Sequence, residues 1–91
     1  MTNEKFIEKA KALVEDHTKE HFGENDMLPA FKVFVVWNAY ILGNMKALLS
    51  TTISNGMYYE VTYNKEKHEI YFDAYKKQEN VCYELNINND I

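Results

Sequence analysis

Two histidines lie one helical turn apart in the run His17-Thr18-Lys19-Glu20-His21. Residues at i and i+4 share a helix face, so two imidazoles so placed can reach one zinc ion. The glutamate that follows the first histidine in HExxH metalloproteases is absent. Two ligands are also an incomplete set, which Asp16, Glu20, His68 or Cys82 would have to finish. The plainer account is structural: His17 closes an apolar stripe, and His21 suits the negative C-terminal end of a helix. Cys82 is the only cysteine. It rules out an intrachain disulfide and fits a reducing, cytoplasmic setting, and without a basic partner it reads as an inert side chain. Gly23, Gly43 and Gly56 stand apart from one another, so no glycine-rich phosphate loop occurs, and no serine sits in a nucleophile elbow.

The elements that position these groups follow from periodicity. Phe6, Ile7, Ala10, Leu13 and Val14 recur at helical spacing, and His17 and His21 continue the stripe. The spacing predicts an amphipathic helix over about residues 3–22, capped by Asn3 and stopped by Gly23. Glu8, Lys9, Lys11, Glu15 and Lys19 form its solvated face. After a polar connector from Gly23 to Pro29 the period changes to two, with Phe31, Val33, Val35, Trp37, Ala39 and Ile41 pointing one way. Sheet is expected over about residues 31–87.

Three turns set the register. Gly43-Asn44 and Asn55-Gly56 read as two-residue hairpin loops, and Lys65-Glu66-Lys67-His68 as a four-residue loop. Together they collect Val35, Trp37, Ala39, Leu48, Tyr59, Val61, Tyr63, Ile70, Phe72 and Ala74 on one apolar face, where the helix should lie. Val81, Tyr83, Leu85 and Ile87 alternate with polar residues and suggest a fifth strand after a turn at Lys77-Gln78-Glu79-Asn80. The expected fold is α+β: one N-terminal amphipathic helix packed on a four- or five-stranded antiparallel meander, a single domain over residues 1–91.

The same register assigns the other face: Phe34, Val36, Asn38 and Tyr40, then Leu49, Thr51 and Ile53, with Tyr58, Glu60, Thr62, Tyr71, Asp73 and Tyr75 from the last two strands. Tyr58 should oppose Tyr75, Glu60 oppose Asp73, and Thr62 oppose Tyr71. Two carboxylates directly across a strand pair repel, at a cost of a few tenths of a kcal/mol or more. Tyrosine beside carboxylate on a flat sheet suits a protein-binding surface, and a partner's lysine or arginine would fit between Glu60 and Asp73. Tyr58, Glu60, Tyr71, Asp73 and Tyr75 are therefore the expected contact residues. The competing account is that the C-terminal segment, or a second copy in a homodimer, covers this face. Acid–base catalysis by Glu60 and Asp73 would need a pocket that shifts one pKa, which a flat sheet seldom provides. No enzyme activity is expected.

Composition narrows the partner. The 91 residues carry a net charge of −4, 10 lysines and no arginine, with seven Tyr and five Phe. An acidic, arginine-free chain is poorly suited to direct nucleic-acid binding. No apolar run approaches the ~20 residues of a membrane span.

The segments Val35-Val36-Trp37, Lys46-Ala47-Leu48-Leu49-Ser50-Thr51, Gly56-Met57-Tyr58-Tyr59-Glu60-Val61-Thr62-Tyr63-Asn64 and Glu69-Ile70-Tyr71-Phe72-Asp73-Ala74-Tyr75-Lys76-Lys77 resemble a family of small proteins from phages and prophages of Gram-positive bacteria. Phe6-Ile7-Glu8-Lys9 fits the same pattern. That resemblance carries no activity residue by residue. Its implication is contextual: small acidic phage proteins often block a host protein, and type II-A anti-CRISPR proteins, which bind Cas9, are similar in size and character. The expectation is a phage-type interaction module that binds and inhibits a host protein in the host cytoplasm, with Cas9 the concrete candidate. The alternatives are a zinc protein centred on His17 and His21, or a structural or replication-complex component of a phage.

Overall fold

Thr2, not Asn3, caps the helix. Its backbone is extended and its hydroxyl accepts the Lys5 N–H at 3.1 Å, satisfying one of the free donors at the helix start. The computed structural model describes residues 1–22 and 27–86. Within them the chain runs α1 (Asn3–Glu20), β1 (Val33–Ile41), β2 (Asn44–Thr51), β3 (Met57–Asn64) and β4 (Glu69–Lys76). Gly23, expected to stop the helix, lies outside the described residues, as does Ile87. Asn3 instead bridges α1 to the sheet, its amide donating to the Asn38 side-chain oxygen at 2.9 Å.

The four strands form one antiparallel sheet in the order β1-β2-β3-β4, with α1 packed across β1, β2 and β3. The fold is α+β, as periodicity implied. Phe6, Ala10 and Val14 of α1 close on Met45, Ala47, Leu49, Tyr59, Val61 and Tyr63 to make the core. Each large apolar side chain fully buried there contributes about 1.5–3 kcal/mol. Thr18 extends the buried helix face, and its hydroxyl donates to the Val14 carbonyl at 2.8 Å.

The β3–β4 register is the expected one: Tyr58↔Tyr75, Glu60↔Asp73, Thr62↔Tyr71. The β1–β2–β3 register is not. The first hairpin turns at Leu42-Gly43, whose φ values of 52° and 85° make the doubly left-handed turn that matches strand twist. The second turns through Thr52 to Gly56, where Asn55 uses its side chain to accept the Met57 N–H at 3.1 Å. Leu49 therefore pairs with Tyr59, and Leu48 with Glu60. A bulge between Val35 and Trp37 adds a second change of face within β1.

Trp37, Ala39 and Leu48, expected beneath the helix, consequently lie on the opposite face. Leu49, Thr51, Asn38 and Tyr40 lie on the helix side. Val35 is on the helix side as expected, because the bulge and the longer loop cancel there. Ala74 shares that side but is exposed, lying on the edge strand beyond the three that α1 chiefly packs against. The fifth strand does not form over the described residues: the chain pairs once more, Lys77 N–H to the Gly56 carbonyl at 2.7 Å. It then continues without regular structure, and residues 77–86 are exposed. Alternation at Val81, Tyr83 and Leu85 is a strand pattern without a strand neighbour.

Candidate functional site

The sheet's outer face is built by parity. Alternate residues of β3 and β4 point away from α1, which gathers Tyr58, Glu60, Tyr71, Asp73 and Tyr75, all five expected contact residues, on one surface. To these the observed register adds Phe34, Trp37, Ile41, Lys46 and Leu48. Large apolar side chains stay open to water there: Phe34 is 44% exposed, Trp37 42%, Ile41 67% and Tyr75 53%. A shallow depression of about 330 Å³ is lined by Trp37, Ala39, Ile41 and Lys46 among others. Among the described residues no second layer covers this face.

Its electrostatics centre on the cross-strand acids. Glu60 faces Asp73 directly, and Lys46 reaches Glu60 at 3.2 Å from the neighbouring strand. The chain thus supplies one of the cations expected from a partner. Asp73 has no ion pair among the described residues. At the sheet's edge the Tyr71 hydroxyl donates to Glu69, and that bond, more than the slight burial or the nearby charge, raises the phenol above its ordinary range.

The histidine pair lies elsewhere, at the C-terminal end of α1. The His17 and His21 rings stack with centroids 3.9 Å apart and 17° between planes. His17 packs edge-on to Tyr59 at 5.4 Å and tilted on Phe72 at 5.2 Å, and its Nδ1 is buried without a hydrogen-bond partner. Burial, then the charge of His21, holds its pKa below 6.5, against a smaller opposing effect of Glu20. His21 places Nδ1 2.9 Å from the His17 carbonyl, which fits a helix-capping role. Stacked rings send their lone pairs side by side rather than to a common point. His68 is across the sheet, bonded to the Tyr63 hydroxyl at 3.0 Å, and Cys82 is on the exposed C-terminal stretch. Among the described residues no group of three His, Cys, Asp or Glu is arranged to hold a metal. None of the helices described is long and apolar enough to cross a membrane.

Sequence reasoning missed Trp37, Lys46 and Leu48 on the outer face. Their signal is hidden because Leu48-Leu49 satisfies either parity, and a bulge leaves no mark in a run as apolar as Val33-Phe34-Val35-Val36-Trp37.

A family model, described as a family of unknown function (DUF6275), matches residues 7–85, a span that includes all four strands and hence the whole outer face. No curated protein and no solved structure matches the chain.

Proposed function

We propose, from the premise that this chain belongs to the DUF6275 family, that the protein is a non-catalytic interaction module whose outer sheet face binds another protein. One observation carries this: a contiguous face bearing Phe34, Trp37, Ile41, Tyr71 and Tyr75 is open to water on a sheet whose other side is already packed. Open aromatic patches of this kind mark interaction sites, because leaving so much apolar surface wet opposes stability and solubility. Unbalanced Asp73 beside Glu60 favours a partner that presents lysine or arginine there.

The resemblance to small phage proteins narrows the partner to a host protein that the module blocks. Cas9, whose surfaces are basic where they hold nucleic acid, is the concrete candidate. The test is retention of Cas9 or another host enzyme by the tagged protein, compared with the double variant Glu60→Lys, Asp73→Lys. Stoichiometric capture that the variant loses supports the proposal; capture unchanged by the variant removes the outer face from it. Zinc on His17 and His21 is the alternative. It requires the rings to unstack and further ligands to join, and stoichiometric zinc in the purified protein would favour it. Assembly into large particles would favour a structural role in a phage.

A further inference from the structure

We infer that, in the absence of its target, the outer face pairs with the outer face of a second copy, so that this protein is a face-to-face two-fold dimer whose contact must open before the target binds. The inference rests on the outer face being the interaction surface. It names what occupies that surface at rest.

Three features point to a second copy. The first is geometry. A two-fold axis parallel to the strands, between β2 and β3, lays β1 of one copy over β4 of the other and β2 over β3. Phe34 of one copy then falls over Tyr75 of the other, aromatic on aromatic, and Ala39 over Tyr71, with Trp37 between them above Asp73, at the ~10 Å spacing of packed sheets. The second is charge. The same operation sets each Lys46 over the other copy's Thr62, one residue pair along from its Glu60 and Asp73, so an extended lysine bridges its own Glu60 and the unpaired Asp73 across the axis. The like-charge pair that costs stability in one copy becomes a cation site in two. The third is area. Four strands of about eight residues outline roughly 500 Å² per copy, hence about 1,000 Å² for the pair. That sits at the lower bound for a specific interface, which suits a dimer of micromolar order that a target can displace.

Sedimentation velocity on the full chain, from about 1 to 200 μM, reads the outcome. The expected result is a concentration-dependent rise to twice the 10.8 kDa chain mass. Trp37→Glu, which removes the ring from a side chain outside the core and sets a carboxylate above the other copy's Asp73, should raise the dimer Kd more than tenfold with an unchanged circular dichroism spectrum. Lys46→Glu and Asp73→Lys should each weaken self-association, and an equimolar mixture of the two should restore it. In the mixed pair both cross-axis contacts become opposite in sign again. A monomer throughout the range overturns the inference, as does a dimer insensitive to all three variants or an open-ended assembly, since a two-fold face closes at two. A monomer that still captures a host protein overturns the resting dimer and leaves the interaction role standing. A swap-restored dimer that captures nothing does the reverse.

Discussion

Leu48 and Leu49 are neighbours of identical chemistry, and the sheet sends them to opposite faces. Leu49 is 0% exposed beneath α1, held among Phe6, Val14, Tyr59 and Val61. Leu48 is half-buried on the outer face opposite Glu60. Cutting Leu49 to alanine removes its transfer free energy and leaves a cavity between helix and sheet, which costs about 3 kcal/mol. Cutting Leu48 opens no cavity, because no layer lies above it, and costs about 0.5–1 kcal/mol. A 91-residue domain holds a total of roughly 5–10 kcal/mol, so Leu49→Ala removes a third or more of it. With an m value of about 1–1.5 kcal/mol/M, the urea midpoint should fall by about 2–3 M for Leu49→Ala and by less than about 1 M for Leu48→Ala. The unfolding curves, followed by circular dichroism, belong at low protein concentration so that self-association adds nothing to the apparent stability. Equal costs, or a larger cost at Leu48, would refute the register and restore the pairing in which Asn55-Gly56 forms a two-residue loop.

The remaining predictions concern the helix end and the turns. Because the pKa of His17 is held below 6.5 in the folded protein, its stabilising contribution is complete above that pH and is lost as pH falls through the depressed value. Urea midpoints at pH 7.5 and about pH 5 should therefore drop further for the wild type than for His17→Gln. Leu42 holds a left-handed φ of 52° and is 90% exposed, so Leu42→Asn should stabilise by about 0.5–1 kcal/mol, read as a rise in the melting temperature. Gly43→Ala should cost about 1 kcal/mol through its φ of 85°, and Lys65→Ala should not rescue it even though the new methyl would meet Lys65. In a spectrophotometric titration one phenol should ionise above the ordinary tyrosine range, and Glu69→Gln should bring it back.

The helix was readable because Phe6, Ala10 and Val14 repeat at one period with nothing competing, and β3–β4 because a four-residue loop and strictly alternating Tyr59-Glu60-Val61-Thr62-Tyr63 admit one pairing. All five expected contact residues come from that hairpin, which is why they share a face in the structure. The pairing of β1 and β2 was not readable for a different reason. Asn55-Gly56 is the strongest two-residue turn signal in the chain, but Asn55 is used to bond the Met57 N–H inside a five-residue loop, and the odd shift reverses β2. Local turn preference is worth less than burying Met45, Ala47 and Leu49 against α1, and the larger sum decides.

The single extra residue at Val36 has an evolutionary consequence. Substitution can alter what Trp37, Ala39 and Ile41 are, but it cannot move them from one side of the sheet to the other. Deleting Val36 would: β1 would regain an unbroken alternation, and either its tip would swing those three side chains toward the helix or its start would swing Val33 and Val35 away from it. An insertion elsewhere in β1 would do the converse. In this lineage, therefore, changes of strand length are the heritable events that would create or erase half of the outer surface at a stroke, while point changes only retune it.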